Sequence, residues 1–213
     1  MTSTRALWCW PPIGVLAMLL LGWAVGRHST GFDADAARQI HTVFGVQPRW
    51  LLVFTDWLLL GPIWLICLGF ALWRRRWRLG AVVAVAPWVI IEINEGFKRM
   101  FDRRNGPYLE YPSGHTTMVV AIMGMLLLVV GLRWWAVTVA VAVSVLGMLG
   151  LVACGYHFLT DTIGAALFTT AMVCVAALAA GLPATAGPPR PRPPETPGPA
   201  DPTASGSSPR SAS

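Results

Sequence analysis

Charge is what this sequence has least of. Only 12% of its 213 residues are Asp, Glu, Lys or Arg, while 55% are hydrophobic; soluble domains carry about a quarter charged residues. That balance excludes a soluble globule. Lysine occurs once, at Lys98. The four cysteines, Cys9, Cys67, Cys154 and Cys174, all fall inside apolar runs without metal-ligand spacing, which excludes a zinc framework and marks them as small core residues. A net charge of +6 would suit nucleic acid, but no basic helix with interleaved exposed aromatics occurs. The positive charge therefore reads as membrane topology plus an anionic lipid head group, and nucleic acid is not an expected partner. There is no internal repeat.

What is abundant is apolar runs of about 20 residues, each long enough to cross about 30 Å of hydrocarbon as a helix. The expected class is all-α: a polytopic bundle of six transmembrane helices with its active site at the outer face. The first run, Ala6 to Val25, follows a minimal basic head, contains Pro11 and Pro12 and lacks a small-residue cleavage site, so it reads as an uncleaved first crossing rather than a secretory signal. Arg27 to Arg49 is a polar connection in which Ala36, Ala37, Ile40, Val43 and Phe44 are helix-spaced, predicting a short amphipathic surface helix. His28 and His41 lie there with no partner at useful spacing and read as solvated histidines.

Trp50 to Trp73 is the second crossing, with Asp56 inside it, and it ends in Arg74, Arg75, Arg76 and Arg78. By the positive-inside rule that cluster is cytoplasmic. Leu79 to Phe97 returns outward, and Glu95 three residues before Lys98 predicts a helix-surface ion pair. Thr116 to Leu132, Ala136 to Gly155 and Thr162 to Gly181 complete six crossings. Both termini are then cytoplasmic, in an integral membrane protein expected in the plasma membrane. Ten of the 17 prolines fall in the last 31 residues, so the chain divides into a membrane domain, 1–181, and a Pro-rich tail, 182–213, expected to be disordered.

Two polar islands interrupt the oil. The first runs from Lys98 through Arg99, Arg103, Arg104, Asn105 and Gly106 to Pro112, Ser113, Gly114 and His115; the second is Gly155 to Asp161 with His157. Two antiparallel helices of about 20 residues, rising 1.5 Å per residue, consume the separation between His115 and His157, so topology predicts that the islands meet. Asp161, four residues after His157, would share a helix face with it. Ser113 and the amides of Gly114 and His115 precede a helix, where free N–H groups and the helix dipole favour an anion. Lys98, Arg103 and Arg104 add positive charge. An anion site, basic residues and two histidines together point to phosphoryl transfer.

These residues resemble the type 2 phosphatidic acid phosphatase superfamily, integral-membrane lipid phosphate phosphatases. Their pattern is a lysine, six residues, then Arg-Pro; then Pro-Ser-Gly-His; then Ser-Arg, five residues, a histidine, three residues and an aspartate. The second motif stands at Pro112 to His115, and the end of the third at His157 and Asp161. The resemblance implies that His157 attacks phosphorus to give a phosphohistidine, that Asp161 orients it, and that His115 protonates the leaving alcohol and later activates water. It also implies that Lys98, Ser113 and Gly114 bind the phosphate, without a metal or other cofactor. The expected substrate is a phospholipid or polyprenyl phosphate.

Two motif arginines are missing: Asn105 and Gly106 stand for Arg-Pro, and Gly150 and Leu151 for Ser-Arg. At about 1.5 to 3 kcal/mol per charged hydrogen bond, their loss calls for a replacement, and Arg104 or Arg103 is the expected one. Two alternatives stay open. One is a lipid phosphotransferase resembling the sphingolipid synthase branch, and the other a catalytically weak lipid-binding relative.

Overall fold

The computed structural model describes residues 2–105 and 107–182, with side chains from residue 7 onward. The expected tail, apart from Leu182, lies outside the described residues. Among those described, the chain forms seven α-helices, a 3-10 helix and one short hairpin. They are α1 (Thr2–Val25), α2 (Gly31–Phe44), the 3-10 helix (Arg49–Thr55), α3 (Trp57–Trp73), α4 (Trp77–Phe101), β1 (Arg104–Asn105), β2 (Tyr108–Leu109), α5 (Gly114–Val130), α6 (Trp134–Ala153) and α7 (Leu159–Ala179).

Nearly all of it is helical, as the apolar runs predict. Five segments are long and apolar enough to cross a membrane: Leu7–Val25, Arg49–Trp73, Trp77–Phe101, Trp134–Ala153 and Leu159–Ala179. The sixth apolar helix, α5, has only 17 residues, about 25 Å at 1.5 Å per residue. It is the central helix, packed against α3, α4, α6 and α7, and Val119, Ala121, Ile122, Met123 and Met125 are all buried. Large apolar side chains elsewhere face outward, including Leu16, Leu20, Leu65, Ile66, Val85 and Val141. An outward-facing apolar surface of this kind fits an integral membrane protein.

The second predicted crossing is not one continuous helix. The 3-10 helix ends at Asp56, whose carboxylate accepts the Leu58 N–H at 2.9 Å and caps α3. Asp56 is therefore a helix cap beside a break, not a carboxylate buried in mid-span, because an aspartate side chain competes for local amides and favours caps over helix interiors. The predicted surface helix exists as α2. Its capping box pairs Thr30 with Asp33, and Ala37, Ile40 and Phe44 pack against Val152 and Ala153 at the end of α6. His41 is not simply solvated there, since its Nε2 lies 2.8 Å from the Ala153 carbonyl.

Alternation of the helices brings the C-terminal ends of α4 and α6 together with the N-terminal ends of α3, α5 and α7. The Arg74–Arg78 region joins α3 to α4 at the opposite end. Gly181, past the end of α7, lies close to the Arg78 guanidinium there.

Candidate active site

The first island begins where α4 stops. Asp102 takes a left-handed conformation (φ 45°) and caps α4, which turns the chain into the hairpin, with Arg104 opposite Leu109 and Asn105 opposite Tyr108. The chain then passes Glu110 and Tyr111 to Ser113, the N-cap of α5. Burial and the neighbouring Asp161 charge push the Tyr111 phenol up from its usual range, leaving a fixed donor that bonds the Met18 carbonyl of α1. Asn94 of α4 holds this lead-in from below, donating to the Pro112 carbonyl at 3.0 Å and accepting from the Thr117 hydroxyl at 3.0 Å.

The second island is a turn out of α6. Gly155 at φ +74° supplies a conformation that side chains disfavour, and His157 follows, two residues before α7. The islands do meet. The Ser113 N–H donates to the Asp161 carbonyl at 3.2 Å, Asn105 Nδ2 donates to the Gly155 carbonyl at 3.2 Å, and the His115 and His157 rings lie 5.7 Å apart, centroid to centroid. His157 is buried, whereas His115 is exposed and lines a cavity of about 660 Å³. That cavity has a polar end, formed by Lys98, Glu95, Gly114 and His115, and apolar walls that include Leu52, Leu60, Ile91 and Met118.

Lys98 lies against the start of α5 and lines the cavity. Its ammonium donates to Glu95 Oε1 at 2.7 Å, the ion pair expected from their spacing. A Cβ on Gly114 would come within 3.1 Å of that same ammonium, so glycine lets the lysine lie directly over the start of α5. Ser113 is the N-cap of α5. It is buried, and its Oγ accepts the Thr116 N–H at 3.3 Å, so its hydroxyl serves as a helix cap. This leaves the Gly114 and His115 amides among the first-turn N–H groups that an α-helix cannot satisfy internally.

The two arginines expected to replace the missing motif residues are elsewhere. Arg103 is fully buried. Its Nη1 donates to Asp161 Oδ1 at 2.8 Å and Thr160 Oγ1 at 2.7 Å, and its Nη2 to Asp33 Oδ2 at 2.8 Å and the His28 carbonyl at 3.0 Å. Its guanidinium carbon also lies 4.7 Å from the centre of the Phe158 ring. Two buried carboxylates outcompete the cavity for this cation, because an unpaired buried charge is the costlier state. Arg104 is exposed, donates to Asp102 Oδ1 at 2.8 Å and does not line the cavity. At the other missing position, a Cβ on Gly150 would lie 2.7 Å from Leu51 Cβ and 3.0 Å from its backbone carbon. The 3-10 helix thus packs where the family motif carries Ser-Arg, and that close approach excludes the serine side chain.

Asp161 also departs from expectation. His157 and Asp161 do not share a helix face, because α7 begins only at Leu159. Asp161 instead caps it, Oδ2 accepting the Phe158 N–H at 2.9 Å while Oδ1 takes Arg103. The carboxylate in contact with His157 Nδ1 is Glu110 Oε2. Glu110, His157 and Asp161 bring three donor atoms within 4.8 Å of one another, but the Arg103 guanidinium bonded to Asp161 opposes a metal cation there. Sequence reasoning missed Glu110 and Asp33. Glu110 is the sole acid between Asp102 and Asp161 and stands two residues before the Pro-Ser-Gly-His motif, a signal that could have found it. Asp33 carried only the Thr-x-x-Asp spacing of a capping box.

Fold and site together define a class, a nearly all-helical bundle of apolar helices that gathers two histidines and a lysine at one end. Direct comparison supplies the family: residues 87–182 match the model of the PAP2 superfamily. The matched segment, from mid-α4 to just past the end of α7, agrees with the family that the motifs resemble, and it contains Lys98, Ser113, Gly114, His115, His157 and Asp161. No curated protein and no solved structure matches significantly.

Proposed function

We propose that this protein is a membrane phosphatase that removes phosphate from a lipid phosphate or diphosphate through a phosphohistidine on His157. The match of residues 87–182 to the PAP2 superfamily supports phosphatase-type activity on phosphate substrates. The observation that carries the finer reading is the histidine pair, 5.7 Å between ring centres, beside Lys98 at the unsatisfied N-terminus of α5. An attacking nitrogen must lie within about 3 to 3.5 Å of phosphorus, and two rings at this separation can flank one phosphoryl group. The apolar walls of the same cavity accept a hydrocarbon tail, which supports a lipid substrate over a free sugar or nucleotide phosphate.

In this reading the free ring nitrogen of His157 attacks phosphorus and the P–O bond to the alcohol breaks. His115 gives its proton to the leaving oxygen. Water then attacks the phosphohistidine with His115 taking its proton, the P–N bond breaks, and inorganic phosphate leaves. Lys98 and the Gly114 and His115 amides stabilise the equatorial oxygens, and positioning plus charge stabilisation supplies most of the rate. Six crossings, with the site on the outer side and both termini cytoplasmic, are supported by the position of the Arg74–Arg78 cluster at the end of the bundle opposite the site.

The test is phosphate release by purified protein from phosphatidate, phosphatidylglycerol phosphate and polyprenyl diphosphate. Release from at least one, lowered at least about 1,000-fold by His157→Ala, is expected. Undiminished release by that variant would refute the reading, and transfer of the phosphoryl-alcohol group to an acceptor lipid without free phosphate would replace it with the phosphotransferase alternative.

A further inference from the structure

We infer that Glu110, and not Asp161, is the carboxylate that sets the tautomer of His157, making Glu110 a positioning residue for the phosphoryl transfer proposed above, a reading on which this inference rests. Glu110 and His157 are 4% and 8% exposed, so neither can turn to bulk water. Glu110 Oε2 contacts His157 Nδ1, and apart from each other neither atom has a hydrogen-bond partner among the described residues. Asp161 is engaged elsewhere: its two oxygens accept from Arg103 Nη1 and the Phe158 N–H, and the carboxylate in contact with His157 Nδ1 is that of Glu110.

Glu110 is also held in place. Its N–H donates to the Arg103 carbonyl at 2.8 Å, fixing it to the base of the hairpin, and Asn94 fixes Pro112 two residues on. A buried carboxylate oxygen with no other donor is costly unless it accepts an N–H, and His157 Nδ1 is the donor within reach. The proton is then kept on Nδ1 and the lone pair on Nε2. When the Nε2–P bond forms, the ring still carries the Nδ1 proton and gains positive charge, which the Glu110 carboxylate balances. As that bond breaks on hydrolysis, the charge disappears and the pair returns to its starting state. No proton passes to Glu110 at any step. A purely structural pairing would hold the hairpin to the Gly155–Phe158 turn and leave the chemistry unchanged.

The experiment compares Glu110→Gln and Asp161→Asn in the full-length protein in detergent, and adds nitrogen NMR of histidine-labelled wild type above neutral pH, where each ring is neutral. Glu110→Gln should lower kcat about 100-fold or more, an effect in the range of general acid–base and tautomer defects, with KM changed less than about threefold. Asp161→Asn should lower the melting temperature more than Glu110→Gln does, and lower kcat less. In the wild type, His157 should show a proton on Nδ1. A kcat for Glu110→Gln within about threefold of wild type, or an Nε2–H tautomer at His157, overturns the inference, and the NMR result decides alone if the variant does not fold. A wild type inactive on every lipid phosphate counts against the proposed function, whereas the tautomer reports on the Glu110–His157 pair without any substrate.

Discussion

Two charged regions lie within the same end of the bundle, and they are built in opposite ways. Beneath the histidines, Arg103 is wrapped by Asp33, Asp161, Thr160 and the His28 carbonyl, with both acids and the arginine nearly inaccessible. At the cavity, the Lys98 side chain is 14% exposed, keeps one acidic partner, Glu95, itself 41% exposed, and faces helix amides without intrahelical partners. The saturated cluster holds α2, the hairpin and α7 in register; the unsaturated one has bonds left to give. Positive charge in a site is therefore no guide to substrate binding until its partners are counted.

The largest expected effect comes from breaking the saturated cluster. Arg103→Met leaves Asp33 and Asp161 buried without their cation and should cost about 3 to 5 kcal/mol, read as a lowered midpoint of denaturant unfolding in detergent. Neutralising both acids in the same variant should recover part of that loss. Lys98→Met should leave stability nearly unchanged and reduce kcat/KM about 10- to 100-fold, since one charged hydrogen bond contributes about 1.5 to 3 kcal/mol. A Lys98→Met variant that unfolds but binds substrate normally would reverse the assignment of the two regions.

Acid separates them more gently. Burial pushes the Asp33 carboxyl up, but hydrogen bonds from the Thr160 and Thr30 amides and hydroxyls outweigh it, holding Asp33 below the usual carboxylate range. Its folded value is depressed, so its contribution is fully present above the unfolded value of about 3.9 and fades as pH falls through the lower folded value. Hydrogen exchange in α2 should stay slow through the ordinary carboxylate range and quicken only below it. Asp33→Asn should remove that transition. The smallest effect belongs to Arg104→Ala, which loses one exposed pair with Asp102 and should change stability by less than about 0.5 kcal/mol and activity by less than about twofold.

The apolar runs made the helices legible in the sequence, and the two-helix separation between His115 and His157 made the meeting of the islands legible too. What spacing could not reveal was how side chains divide their partners. Arg103 and Arg104 are neighbours in sequence, yet one is fully buried and the other exposed, because Asp33, 70 positions away, claims the first. Asp161 has the right spacing to reach His157, but α7 starts between them and draws the carboxylate to the helix cap. The break at Asp56 was hidden by an unbroken apolar run, and the close approach of Leu51 to Gly150 is visible only once the 3-10 helix lies on α6.

The central claim is that phosphate passes to His157, and rapid acid-free quenching of the purified protein with a lipid phosphate labelled on its phosphorus tests it directly. The account predicts a protein-bound phosphoryl group that is stable in alkali, labile in acid, located at His157 and absent from His157→Ala. Phosphate release at an undiminished rate with no label on His157, or label carried by another residue, would contradict it.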